Sequence, residues 1–191
     1  MKCEMVDEEF LPRGSGVERS DWEETGKPHL TRIIYSMMEE MGTAYTGKGF
    51  GEPGITMEMG FLWEDVLSVV FGERMCARLG EVECDGIVGS PDGLGEDPDG
   101  VVPGVVLEEY KCTWKSTKSN PEENWYWMTQ VKSYCHMVGV TGAIMRIVYL
   151  MGNYRGSGPQ YRVWRVEWDG EELVNNWNMI LSHGRRKGWL K

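Results

Sequence analysis

Apolar residues recur at helical spacing over residues 30–41 (LTRIIYSMMEEM), which predicts the first firm helix of the chain. The spacing returns over about 57–78, with Phe61, Leu62, Val66, Leu67, Val70 and Phe71 on one side, and predicts a second. The pattern then turns strand-like. Residues 82–89 and 105–112 read as strands joined by the turn-rich GLGEDPDGVVPG. Residues 121–139 predict a third helix, Pro121 and the Glu122–Glu123 pair suiting its positive N-terminal end. Two more strands follow, AIMRIVYLM (143–151) and QYRVWRVEW (160–168). An amphipathic helix over about 171–182 then leads into the basic end GRRKGWLK. TAYTGKGFGEPGIT (43–56) is a Gly-rich connection without the residue order of a phosphate-cradling P-loop. Residues 1–28 are polar and Gly/Pro-punctuated, an N-terminal arm. The remainder, 29–191, predicts one α/β domain with a central mixed β-sheet flanked by helices.

Composition narrows the picture. At 191 residues the chain can bury one full core but hardly two. No apolar run approaches the roughly eighteen residues of a membrane helix, so no membrane partner is expected. The acidic start MKCEMVDEEF lacks the apolar region of a signal peptide. Five cysteines without a close CxxC pair argue against a disulfide framework or a small zinc module. Together these place the chain in a reducing cytoplasm, the host's if the source is viral.

The net charge of −10 is unevenly divided: residues 1–100 carry a balance of −14 and residues 101–191 one of +4. A long phosphate-binding face is disfavoured, while a local basic track in the second half is allowed. The acidic half supplies carboxylates of the kind that hard cations such as Mg²⁺ or Mn²⁺ take as ligands.

Asp92 and Glu109-Tyr110-Lys111 carry the sharpest chemical signal. Strand alternation turns Glu109 and Lys111 to one face and Tyr110 and Cys112 to the other. A carboxylate can then hold a cation while the lysine beside it orients an attacking water or, as the neutral amine, deprotonates it, its charged form offsetting phosphate charge. Taken alone, Glu109 and Lys111 could be a cross-charge pair on a solvated strand. Asp92 stands where an apolar strand breaks into Ser90-Pro-Asp-Gly93, whose plain alternative is a type I or II turn. Asp97, Asp99 and Gly100 in the same loop read as turn residues only. Upstream, Glu64 in Gly60-Phe-Leu-Trp-Glu64 sits on the second helix; the alternative is a surface glutamate. Downstream, Gln130 and Tyr134 are i,i+4 neighbours on the third helix, either facing a site or forming core and polar border.

In this order and spacing, Gly60-x-x-x-Glu64, Pro91-Asp92, Glu109-x-Lys111 and Gln130-x-x-x-Tyr134 resemble the RecB-like and phage lambda-type exonuclease branch of the PD-(D/E)xK nuclease superfamily. The resemblance covers residues 60–135 and implies a restriction-endonuclease-like domain. It implies Glu64, Asp92 and Glu109, with the Tyr110 carbonyl, as ligands of one or two Mg²⁺ or Mn²⁺ ions. Lys111 would be the catalytic lysine, and Gln130 and Tyr134 would position the scissile strand and the water. The activity implied is phosphodiester hydrolysis at single- or double-stranded DNA ends. Alternatives are a structure-specific or nicking endonuclease and a catalytically inactive DNA-binding protein on the same fold. A homo-oligomer or a recombination partner protein is compatible with it. Many relatives carry a histidine in the first motif; His29 lies far upstream of that place. An iron–sulfur cluster is not expected, because no cysteine follows Cys135.

Nine tryptophans stand in the chain, and Trp125 and Trp127 open the third helix, where they could stack on bases or simply pack. Lys115, Lys118, Lys132, Arg155 and Arg185-Arg186-Lys187 are candidate phosphate contacts. His136 and His183 receive no role.

Overall fold

Alternation along β5 (Val105–Thr113) sets the layering of the molecule. The computed structural model describes residues 26–43, 59–60, 62–63, 66, 69, 75–77, 79–97, 100, 102–156 and 158–191. Strand β5 lies between β4 (Gly93–Glu96), which is antiparallel to it, and β6 (Gly142–Tyr149), which is parallel. Strand β7 (Gln160–Glu167) pairs antiparallel with β6, and β1 (Met75–Ala77) closes the other edge against β4. The result is a five-stranded mixed sheet in the order β1-β4-β5-β6-β7. The parallel pair needs a crossover. A 3₁₀ turn (Pro121–Glu123) and the helix after it supply one.

That helix, α2 (Trp125–Val138), packs with α1 (Leu30–Glu40) and α3 (Gly170–Arg186) over one sheet face. Leu107, Met145, Ile147 and Tyr149 meet Ile33, Ile34, Val131, Tyr134, Trp177 and Ile180 there. Each fully buried aliphatic side chain contributes about 1.5–3 kcal/mol. On the opposite face Tyr110 and Val148 pack with Trp63, one of the helical positions described between 59 and 69. The chain is thus a single α/β domain, a mixed sheet flanked by helices. Among the described residues no helix is long and apolar enough to cross a membrane.

Several elements differ from the sequence expectation. Residues 82–89 form not one strand but a hairpin, β2 (Val82–Cys84) and β3 (Ile87–Gly89), paired apart from the main sheet. Asp85 and Gly86 turn between them with φ of 50° and 79°, the left-handed pair that a two-residue hairpin loop demands. The Gly-rich GLGE expected in the loop is β4, and Met75–Ala77 is strand where helix was expected. Leu62 and Val66, read as part of a buried helix side, are 58% and 46% exposed. Burial goes to Trp63 instead, about 100° round the helix from Leu62.

Helix α3 also runs past Ser182 to Arg186. His183 is buried there with Nε2 3.0 Å from Ser36 Oγ, and Arg186 and Lys187 pair with Glu40. Those two cations hold the Glu40 carboxyl down to about 2. Arg186 and Lys187 are therefore ion-paired between helices while staying partly exposed. The predicted arm falls, for residues 1–25, outside the described residues, as does the Gly-rich connection from 44 on.

Candidate active site

Asp92 enters one residue before β4. Gly93 is registered against Glu108, so Asp92 sits beside the centre of β5 and its Oδ2 accepts the Tyr110 amide proton at 2.6 Å. The SPDG break is therefore an irregular lead into β4, not a turn, and its aspartate is tied to the neighbouring strand. Glu109 and Lys111 share the helix-side face. Lys111 Nζ donates to Glu109 Oε1 and to Gln130 Oε1, the latter at 3.0 Å. Gln130 Nε2 in turn donates to the Tyr134 hydroxyl at 3.2 Å. Glu109, Gln130 and Tyr134 are all buried. The structure thus brings Asp92, Glu109, Lys111, Gln130 and Tyr134 together; Glu64 lies outside the described residues.

The electrostatics follow from this crowding. Burial alone would depress Lys111, but the Glu109 and Asp92 carboxylates outweigh it and raise the ammonium well above its usual value. Burial raises the Tyr134 phenol, Glu109 adds to the rise, and Lys111 opposes it. Tyr110 points its ring to the other sheet face, leaving only its backbone beside the site.

Close packing fixes Tyr134. A Cβ at Gly89 would fall 2.9 Å from Tyr134 Cε1 and 3.0 Å from Met137 Sδ, so the strand entering SPDG can approach α2 only as glycine. The core reading and the site reading of Tyr134 are therefore not exclusive.

Further residues reach the site. Tyr126 continues the Gln130–Tyr134 series one turn back, its phenol feels Lys111 and Glu109, and its ring lies 5.2 Å from that of Tyr35. The i,i+4,i+8 rhythm of Tyr126, Gln130 and Tyr134 was the available signal. His29 reaches the same region by an isolated bridge to Val88, with Nε2 3.2 Å from Ser90 Oγ. Sixty intervening residues hide that contact. Asp97 is more than a turn residue: buried, it pairs with Arg165 at 2.8 Å and accepts the Val102 amide proton at 3.0 Å.

The tryptophans part company. Trp127 has Lys115 over its ring at 5.5 Å and lines a groove of about 320 Å³ with Asn120, Asn124 and Tyr154. Trp125 lines a separate groove of about 700 Å³ with Lys132, Arg165 and Trp168. Two residues along a helix are about 200° apart, so they do not form one platform. Lys132 is ion-paired with Glu172 and lies over Trp168, while Lys118 is exposed.

No family model and no curated protein matches the chain. Solved structures do. An alkaline exonuclease from Laribacter hongkongensis superposes with a TM-score of 0.53 over 85% of this chain and 88% of its own, at 16% identity. The fold is similar to that of an alkaline exonuclease. At that identity the likeness speaks to the fold alone. A phage-related exonuclease from Haemophilus somnus 129PT matches at a TM-score of 0.45 and 12% identity, over 82% of this chain and 79% of its own. That score adds nothing further.

Gln130 and Tyr134 can be tested apart from the carboxylates. Removing the Tyr134 hydroxyl leaves one Gln130 N–H bond unmade, a cost of about 1–3 kcal/mol. Tyr134→Phe should stay folded in urea titrations, with only its midpoint lowered. A Tyr134→Phe protein that unfolds would make the hydroxyl a structural group only.

Proposed function

We propose that the protein is a divalent-metal-dependent deoxyribonuclease, and within that class an exonuclease that works from DNA ends. The observation that carries this reading is the convergence of Asp92, Glu109 and Lys111 on one strand face, backed by Gln130 and Tyr134. The donor set suits a hard cation: two carboxylates and the Tyr110 carbonyl, with Glu64 expected from the sequence alone as a third carboxylate. Mg²⁺ or Mn²⁺ held there would supply Lewis-acid stabilisation of the phosphate and an acidified water.

The protein's own groups do the rest. Asp92 and Glu109 would hold the ion. Lys111, fixed by Glu109 and Gln130, presents an ammonium that orients the water and offsets charge building on the phosphate. Gln130 and Tyr134 keep that ammonium aimed and border the scissile strand. Lys115, Lys118 and Trp127 follow the end of β5 and form the short basic track that a DNA end would meet. Lys132 and Trp125, facing another groove and already engaged, are weaker candidates.

Preference for ends rests on the likeness to an exonuclease fold and on charge. A net charge of −10 disfavours a broad basic face for searching long duplexes, whereas end capture needs only a short track. The test is incubation with linear and covalently closed circular DNA, single- and double-stranded, under Mg²⁺, Mn²⁺ or EDTA. Linear DNA should be degraded, circles spared, and EDTA should stop the reaction. Efficient cutting of closed circles would favour an endonuclease; binding of ends without cutting under either ion would favour an inactive DNA-binding protein.

A further inference from the structure

A second set of metal-ligating groups lies outside the candidate active site. Cys84 at the end of β2, Asp85 in the hairpin turn and His136 in the last turn of α2 place one ligand atom each within 4.8 Å of the others. Around a tetrahedral ion with bonds of about 2.0–2.3 Å, neighbouring ligand atoms stand about 3.3–3.8 Å apart. The cluster therefore needs to close by at most about 1–1.5 Å.

Its chemistry differs from that of the carboxylate site. One thiolate, one carboxylate and one neutral imidazole sum to −2, which balances a divalent ion. Sulfur and imidazole donors select zinc-like metals, whereas Mg²⁺ prefers oxygen ligands throughout.

The surroundings hold the ligands in place. Trp177 Nε1 donates to Asp85 Oδ2 at 2.8 Å, and the Trp177 ring stacks on His136 with centroids 5.0 Å apart and planes at 21°. One tryptophan thus orients two of the three ligands, as outer-shell partners do at metal sites. Meanwhile the Cys84 thiol donates to the same Asp85 oxygen at 3.8 Å. The tight turn at Asp85 and Gly86 fixes where that carboxylate points.

We propose that Cys84, Asp85 and His136 form a binding site for Zn²⁺ or a similar borderline-soft ion, with a fourth position left to water. The ion clips the β2–β3 hairpin to α2. Strand β3 runs directly into Ser90-Pro91-Asp92, and α2 carries Gln130 and Tyr134, so the clip joins the two elements that must meet at the candidate active site. The site does not depend on any nuclease activity.

The decisive probe is Co²⁺ titrated into the full chain after chelation, because a thiolate ligand gives a near-ultraviolet sulfur-to-cobalt charge-transfer band that an oxygen-only site cannot. Wild type should develop the band at one equivalent and lose it to Zn²⁺. Cys84→Ser and His136→Ala should abolish it, and the Asp92→Asn, Glu109→Gln double variant should keep it. Trp177→Phe, which removes the donor to Asp85 but keeps an aromatic ring, should weaken Co²⁺ affinity by about 10–100-fold. Circular dichroism verifies that each variant is folded, and Trp177→Phe serves if a ligand variant is not. Absence of the band in wild type, its survival in Cys84→Ser, its loss in the Asp92→Asn, Glu109→Gln protein, or unchanged affinity in Trp177→Phe would each overturn the assignment.

Discussion

Asp92→Asn and Glu109→Gln should each remove DNA cleavage while leaving the domain folded, the largest functional effect expected of any substitution here. Amides are the right probes because both carboxylates also carry structural bonds. Asp92 accepts the Tyr110 amide proton, so alanine would strand a buried N–H at about 1–3 kcal/mol, whereas asparagine can still accept it. Alanine at Glu109 would likewise take from the half-buried Lys111 its nearest counter-charge. With amides, what is lost is the negative charge that holds the cation. A single preorganised donor is already worth about 10²–10³-fold in rate, and loss of the ion should exceed that. The second readout is linkage: Mg²⁺ at about a hundred times its dissociation constant stabilises by about 2.7 kcal/mol, or roughly 5–10 °C in Tm for a domain of this size. Wild type should show that rise and the double amide variant should not. An equal Mg²⁺-induced rise in both would remove Asp92 and Glu109 from the cation site. Lys111→Ala completes the series, retaining the rise but losing turnover.

Much of this arrangement was legible in the sequence because it rests on period-2 alternation. That rule puts Glu109 and Lys111 on one face and Tyr110 on the other, and the structure has them so. The i,i+4 rule likewise aligns Gln130 with Tyr134. What escaped was of two kinds. Short elements were hidden by their own turn residues: the Asp85–Gly86 pair splits a run of strand-forming residues, and β4 is two glycines, a leucine and a glutamate. Long-range pairings left no local trace. Nothing near Asp97 announces Arg165, nothing near Ser36 announces His183, and His29 meets Ser90 only because the hairpin folds back on the start of α1. Cys84, Asp85 and His136 belong to the same class. Their ligand spacing exists only once α2 lies across the hairpin.

The strongest stability effect should come from a residue that takes no part in the site. Glu108 and Glu109 are adjacent and both about 1% exposed, yet alternation sends them to opposite faces. Glu109 meets Lys111; Glu108 meets Arg146 on β6, which donates from Nε at 2.7 Å and from a terminal nitrogen at 2.8 Å, and donates also to the Tyr161 hydroxyl at 3.1 Å. Burial alone would depress the Arg146 guanidinium, but hydrogen bonds to Glu108 and Tyr161 outweigh it and keep it charged. A pair of this kind need not stabilise much, since removing two charges from water costs nearly what their attraction returns. Breaking it is another matter. Glu108→Ala leaves Arg146 buried without its carboxylate and should cost about 3–5 kcal/mol. At about 2–4 °C per kcal/mol, that lowers Tm by roughly 6–20 °C. The double variant Glu108→Leu, Arg146→Met removes both charges and fills the space, and should recover most of the loss. Calorimetry on the wild type and both variants decides the matter. A double variant no more stable than Glu108→Ala would mean that the volume of the carboxylate, or its bond through Arg146 to Tyr161, matters more than charge compensation.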